Sequence, residues 1–167
     1  MTPAESQRIA ADLDIIAQQE KLLRFPSFNA ETAWQLGSLL RSLLVQRSAA
    51  GTFEIELAGQ VLFTAATTGA TPGQADWIRR KRNVVHRFAR STYAIGLTLQ
   101  LSGETLLTRH GLELKDFVSH GGGFPLWLDR TGPIGSIVLS GLPQRDDHSL
   151  VASALAQHLE IPTPHLP

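Results

Sequence analysis

The hydrophobic period of this chain switches from helical to two-residue spacing and back, twice, and that alternation limits the available folds more than any other feature. Phe53, Ile55 and Leu57 alternate with Glu54 and Glu56, the pattern of a strand with one apolar and one wet face. Ala58-Gly59-Gln60 is a short turn, and Val61 to Thr67 reads as the return strand of a hairpin. A second hairpin is predicted from Phe124 to Leu128 and Ile134 to Ser140 across Asp129-Arg130-Thr131-Gly132-Pro133, with Gly141-Leu142-Pro143 ending it. Two hairpins require no crossover between parallel neighbours, so the expectation is an antiparallel sheet with packed helices, not a Rossmann-type sheet.

Helical spacing surrounds these ribbons. Pro3 to Leu23 carries Ile9, Leu13 and Ile16 on one stripe, and Arg24-Phe25-Pro26-Ser27-Phe28 breaks it. Asn29 reads as the N-cap of a helix with Leu36, Leu39, Leu40, Leu43 and Leu44 on its apolar face, stopping near Gly51. Thr71-Pro72-Gly73-Gln74 has capping-box spacing and opens a third helix. Tyr93 to Leu101 fits either a strand, through Ile95, Leu97, Leu99 and Leu101, or a buried helix. Leu106 to Val118 reads as a loop with a short helical turn. Asp146 or Asp147 is expected to cap a last helix, and Pro162 to Pro167 to be an extended, mobile tail. With 167 residues and no linker or repeat, residues 1–167 are expected to form one domain.

Composition excludes several chemistries. The chain has no cysteine, so disulfide scaffolds, thiol nucleophiles and Cys-ligated clusters are out. Its longest apolar runs fall far short of the ~20 residues that span a bilayer, and Met1 to Glu20 lacks the form of a signal peptide, so the expectation is a soluble, cytoplasmic protein without a membrane role. The six histidines form no H-x-x-x-H or H-E-x-x-H pair, and G-x-S-x-G is absent, so neither a metal site nor a serine hydrolase is predicted.

Net charge is zero, yet residues 1–60 carry −2, residues 61–90 carry +5 and residues 91–167 carry −3. The positive charge sits between Arg79 and Arg90, which points to one site or interface rather than to nucleic acid. Trp77, Lys81, Val84 and Phe88 share one side of that helix, and Arg79, Arg82, Asn83, His86 and Arg90 another. The second set suits phosphates, carboxylates or porphyrin propionates, or else a solvated face or subunit contact. Lys81 is the stronger site candidate, because its stem packs while its ammonium reaches a pocket or carboxylate. Gly121, Gly122 and Gly123 lead into Phe124-Pro125 and a strand rather than a helix, so they read as a tight, closely packed turn or a backbone-lined pocket. Asp146-Asp147-His148 combines helix-start acids with a histidine that capping does not explain, and a meeting of His148 with His120 across the fold would make a site.

Together these motifs, from Trp77 and Arg80-Lys81-Arg82-Asn83-Val84-Val85-His86-Arg87-Phe88 through Gly121-Gly122-Gly123-Phe124-Pro125 and Gly132-Pro133-Ile134-Gly135 to Ser140-Gly141-Leu142-Pro143-Gln144-Arg145-Asp146-Asp147-His148, resemble the haem-degrading domain family of HbpS-like and GlcG-like proteins, in its cytosolic branch. The resemblance implies a profilin-like α/β sandwich, with a central antiparallel sheet, helices on both faces and assembly into dimers or larger rings. It favours a helix over Tyr93 to Leu101 and makes haem the implied cofactor.

Two functions follow as expectations. In the first, a small-ligand pocket for haem or another planar anion lies between the basic helix and the glycine corner. His120 or His148 would be the axial or polar contact, and Lys81, Arg82 and His86 would meet anionic groups. Gly121, Gly122 and Gly123 line the pocket, Phe124 and Trp77 wall it, and Asp147 sits beside His148. In the second, the protein is a non-catalytic homo-oligomer whose basic helix and apolar surface serve assembly or partner docking.

Overall fold

The computed structural model describes residues 1–167 as six helices and five strands. In chain order these are α1 (Pro3–Leu22), β1 (Arg24–Phe25), α2 (Ala30–Gln46), β2 (Thr52–Leu57), β3 (Gln60–Ala66), α3 (Gly73–Phe88), α4 (Thr92–Ser102), α5 (Leu106–His110), β4 (Gly123–Leu128), β5 (Gly132–Ser140) and α6 (Gln144–Leu159). No helix is long and apolar enough to cross a membrane.

The two hairpins lie side by side in one sheet, ordered β1-β4-β5-β2-β3, joined where β2 runs antiparallel to β5. The sheet is not wholly antiparallel. Arg24 and Phe25, read from the sequence only as a helix breaker, pair in parallel with Trp127 and Leu128. One sheet face meets α2 and α6 through Leu36, Leu40, Phe53, Ile55, Leu126 and Leu155, part of the main apolar core. On the other face lies α3, so the sheet has helices on both sides. Helices α1 and α4 pack together through Ile9, Ile16, Tyr93 and Leu97.

Tyr93 to Leu101 is helical. Ser91 caps the segment by accepting the Ala94 N–H at 3.3 Å, and buried residues occur all round the helix, so alternating leucines carried no strand information. Asn29 caps α2 as expected, accepting the Thr32 N–H at 3.0 Å, but the helix ends at Gln46 rather than Gly51. The capping box at Thr71 does not form. Pro72 occupies the N-cap position, and the Gln74 side chain instead accepts the Thr52 hydroxyl at 2.9 Å. Pro143, not Asp146 or Asp147, is the cap residue of α6, and both acids fall in its first turn. The tail is held rather than free: Pro164 O accepts from Gln19 Nε2 at 2.8 Å, and Leu166 packs on the α1–α4 cluster.

His148 is part of this core. It is fully buried, its Nε2 lies 2.9 Å from Gln19 Oε1, and its ring packs against Tyr93 and Phe124. Since the Gln19 amide nitrogen is committed to Pro164 O, Gln19 Oε1 accepts and His148 Nε2 carries the hydrogen. Burial, followed by the charge of Arg145, lowers its pKa from 6.5 to about 3. A histidine depressed in the folded state takes up its proton preferentially on unfolding, so its contribution is complete above pH 6.5 and is lost as pH falls toward 3. Urea unfolding across that range is expected to give midpoints that fall with pH, and His148→Gln to flatten the slope. An identical slope in the variant would contradict the burial of a neutral His148.

Candidate functional site

Strand β2 sends Phe53 and Ile55 into the main core, and its alternation turns Glu54 and Glu56 to the opposite face, beneath α3. That face was expected to be wet; instead a cationic helix covers it. Arg82 pairs with Glu54, and His86 Nε2 lies 2.6 Å from Oε2 of the buried Glu56. Elsewhere on the same helix Arg79 bridges Asp76 and Asp116 at 3.0 and 3.1 Å, Arg80 meets Asp76 at 2.8 Å, and Arg90, just past its end, meets Glu20 at 2.6 Å. The positive charge concentrated between Arg79 and Arg90 is therefore largely matched within the chain. Arg82 and His86, expected to meet a ligand's anionic groups, have carboxylate partners already.

Lys81 is the most deeply placed of these cations. Its Nζ donates to Asp147 Oδ2 at 2.9 Å and to Leu139 O at 2.8 Å, and both side chains are only 2% exposed. Asp147 Oδ1 accepts the Leu142 N–H at 3.0 Å, so one carboxylate ties α3, the end of β5 and the start of α6. Burial lowers the Lys81 pKa and raises that of Asp147, while their mutual attraction opposes both shifts. The two groups are thus drawn toward each other in proton affinity at the floor of a cleft.

That cleft, about 240 Å³, is lined by Gln74, Trp77, Lys81, His120, Gln144 and Asp147 among others. His120 stacks on Trp77 with ring centres 5.1 Å apart and planes 18° from parallel, and the Arg80 guanidinium lies 4.5 Å from the centre of the same indole. Neither ring nitrogen of His120 is hydrogen-bonded in the chain, in contrast to His86 and His148. Burial, then the charges of Lys81 and Arg80, lowers its pKa, which leaves a neutral imidazole at neutral pH.

The glycine corner makes this arrangement sterically possible. Gly121, Gly122 and Gly123 are all buried. A Cβ on Gly122, whose φ is +117°, would lie 2.2 Å from Leu139 O and 2.9 Å from Lys81 Nζ. On Gly121 it would lie 2.0 Å from Gln144 O. The close-packed turn is therefore the geometry present, and the Gly122 carbonyl is engaged by the Leu139 N–H at 2.9 Å.

The structure thus brings Trp77, Lys81, His120 and Asp147 together at the cleft, packs Gly122 against Lys81 and Asp147 without any of the three glycines lining the cleft, and places Arg82, His86, Phe124 and His148 elsewhere. Phe124 is fully buried in the main core, and His148 bonds Gln19 rather than His120. Arg82 and His86 lie farther along α3, and His86 lines a separate cavity of about 260 Å³ with Glu56, Val85, Ala89, Pro133 and Ile134. Sequence reasoning missed Glu54 and Glu56 as partners of the basic helix. Two acids on one face of a strand, followed by a helix of matching positive charge, were the available signal.

A buried ion pair loses most when a single member is removed, about 3–5 kcal/mol, and less when both become apolar. Lys81→Met is accordingly expected to lower unfolding stability by about that amount, and Lys81→Met/Asp147→Leu to recover part of it. Additive losses in a urea double-mutant cycle would contradict a coupled pair.

Comparison with known proteins follows the same lines. Residues 28–156 match the family model described as haem degrading protein HbpS-like. A UPF0303 protein of Azotobacter vinelandii is 53% identical over 149 residues, covering 89% of this chain and 90% of that protein. Among solved structures, the Ybr137w protein superposes with a TM-score of 0.83 at 23% identity, covering 95% of both chains. The PduOC:haem complex gives a TM-score of 0.68 at 20% identity, covering 82% of this chain and 98% of that one. From its matched residues and its fold, this chain belongs to the HbpS-like family of haem-degrading proteins.

Proposed function

We propose that this protein binds haem, or a closely related planar anionic cofactor, at the cleft headed by His120, and does so as a cytoplasmic homo-oligomer. The observation that carries the reading is the His120 imidazole. It is exposed, makes no hydrogen bond within the chain and is stacked on Trp77 beside a cleft, and partial burial and the nearby Lys81 and Arg80 lower its pKa. A histidine nitrogen with no partner in the chain is the kind of group that would hold a haem iron. The family match and the haem complex of a structural neighbour support the same class of ligand.

The residues fit part of the group rather than all of it. At about 240 Å³ the cleft falls below the roughly 300–1,000 Å³ of pockets that enclose a ligand. It would take one edge or face of a porphyrin, leaving the remainder outside. Lys81 and Asp147 form the floor, and Arg80, held against Trp77, is already paired with Asp76 at 2.8 Å. When bound, haem supplies a redox-active iron. The chain's own part is to present an imidazole that needs no deprotonation and to hold the cleft rigid through the Lys81–Asp147 tie.

A second reading places the ligand over His86. His86 lines the other cavity, but its Nε2 is taken by buried Glu56, which leaves only Nδ1, the nitrogen nearer the residue's own backbone, for a ligand. Titration with haem, followed at the Soret band, distinguishes the two. The expected result is a saturable shift, weakened at least about tenfold in His120→Ala and retained in His86→Ala and His148→Gln. Loss confined to His86→Ala would select the second site, and no saturable shift in the unaltered protein would overturn both.

A further inference from the structure

The two-residue strand β1 holds a cation that the fold leaves unanswered. Arg24 pairs in parallel with Trp127 of β4, and its guanidinium lies over that indole, 4.8 Å from the ring centre. The residue is half-buried, and its Nε is shut off from solvent with no hydrogen-bond partner. The other half-buried arginines, Arg79, Arg80, Arg82, Arg90 and Arg145, each lie within ion-pair distance of an aspartate or glutamate. The remaining arginines without an acid, Arg8, Arg41, Arg47, Arg87 and Arg130, are exposed to water. Arg24 alone is both covered and unpaired. A covered donor without a partner is costly, and one kept in a native fold requires an explanation.

Arg24 opens onto a cleft of about 300 Å³. Lys21, in the last turn of α1, lines it, as does Arg90 from the link between α3 and α4. Ala17 and Ala89 border the same space with small side chains, and Trp127 forms a wall. The acid among these residues is Glu20, and both its oxygens are taken. Oε2 accepts from Arg90 Nε at 2.6 Å, and Oε1 accepts the Ser91 N–H at 2.7 Å. Ala89 permits that contact by adopting a left-handed φ of +51°, which turns the chain at the end of α3. The Lys21 ammonium and the terminal nitrogens of Arg24 and Arg90 are left without a partner in the chain, and the cleft carries a net charge of +2.

Helices α1 and α3 both end at this cleft, and the carbonyls of a helix C-terminus favour a nearby cation. That field accounts for Lys21 in a last turn and for Arg90 just beyond one. It does not account for Arg24, in a strand past the helix, covered by an indole with no acid beside it. Three cations from three elements also discriminate among anions. A carboxylate has two oxygens, and one guanidinium fork answers both. A phosphomonoester has three terminal oxygens and a charge of about −2, which matches three donors and the net charge of the cleft.

We propose that the cleft between Lys21, Arg24 and Arg90 binds a phosphomonoester group, carried by a soluble small molecule or by a lipid headgroup. Arg24, preorganised on Trp127, presents its fork to the phosphate oxygens, and Lys21 and Arg90 meet the remaining charge. The lining shares no residue with the His120 cleft, so the site stands whatever that cleft binds.

Calorimetric titration of the full chain with inorganic phosphate and with glycerol phosphate, at fixed ionic strength, tests this. Co-sedimentation with phosphatidylcholine vesicles, with and without phosphatidate, separates the two sources of the group. Saturable binding of the soluble phosphates is expected, weakened at least about tenfold in Arg24→Gln and about threefold in Lys21→Gln. Arg8→Gln, which removes an exposed cation of α1 outside the cleft, is expected to bind as the unaltered protein does. Sedimentation with phosphatidate vesicles alone, lost in Arg24→Gln and Lys21→Gln, would support the site and assign its phosphate to a lipid. Binding to neither probe would overturn the proposal, as would binding that all three variants reduce alike or that none reduces. If Arg24→Gln fails to fold, Lys21→Gln is read against Arg8→Gln: a selective loss supports the cleft, and equal affinities refute it.

Discussion

An ammonium and a carboxylate buried together at Lys81 and Asp147 constrain much of the rest of this molecule. Neither side chain has appreciable contact with solvent, and their ties reach α3, the Leu139 carbonyl of β5, the Leu142 amide and the first turn of α6. Removing two charges from water is costly, and their attraction offsets the cost only where geometry and further hydrogen bonds are good. The consequence is positional: α3 is fixed over the sheet in the register that satisfies the pair. Gly122 is part of the same constraint, because a side chain there would occupy the space of Lys81 Nζ.

The remaining contacts of α3 extend this logic. A helix usually covers a sheet through an apolar stripe, and Ile78, Val84 and Val85 provide a narrow one. Glu54 and Glu56 on the sheet require something more, and Arg82 and His86 provide it. Much of the segment's charge is therefore neutralised inside the fold rather than held for a ligand. The same pairing leaves His120 distinctive. It belongs to the loop before the glycine corner, is exposed, rests on Trp77, and has its pKa lowered by partial burial and then by the nearby Lys81 and Arg80.

Local periodicity made most of the architecture legible in the sequence. Both hairpins and helices α1, α2, α3 and α6 followed from spacing, because each depends on neighbours a few residues away, whereas spacing left α4 open between strand and helix. What escaped depends on distant partners. The two-residue β1 exists only because Trp127 and Leu128 lie alongside it. Gln74 abandons a capping box for the Thr52 hydroxyl, and the tail is held by Gln19 and the α1–α4 cluster. The candidate site divided in the same way. Lys81 and Asp147 were identified separately, each for sound chemical reasons, and they meet. Phe124 and His148 stood next to promising motifs, but strand alternation and helix phase turn them into the core. Adjacency in sequence says little about which face a side chain occupies.

Competitive amine labelling tests the buried tie most directly. The chain has three lysines, Lys21, Lys81 and Lys115, and only Lys81 is buried. Brief treatment of the folded protein with an acylating reagent, read by peptide mass spectrometry, is predicted to modify Lys21 and Lys115 and spare Lys81 until denaturant unfolds the chain. Modification of Lys81 in the folded protein at the rate of the other two would contradict a buried pair with Asp147.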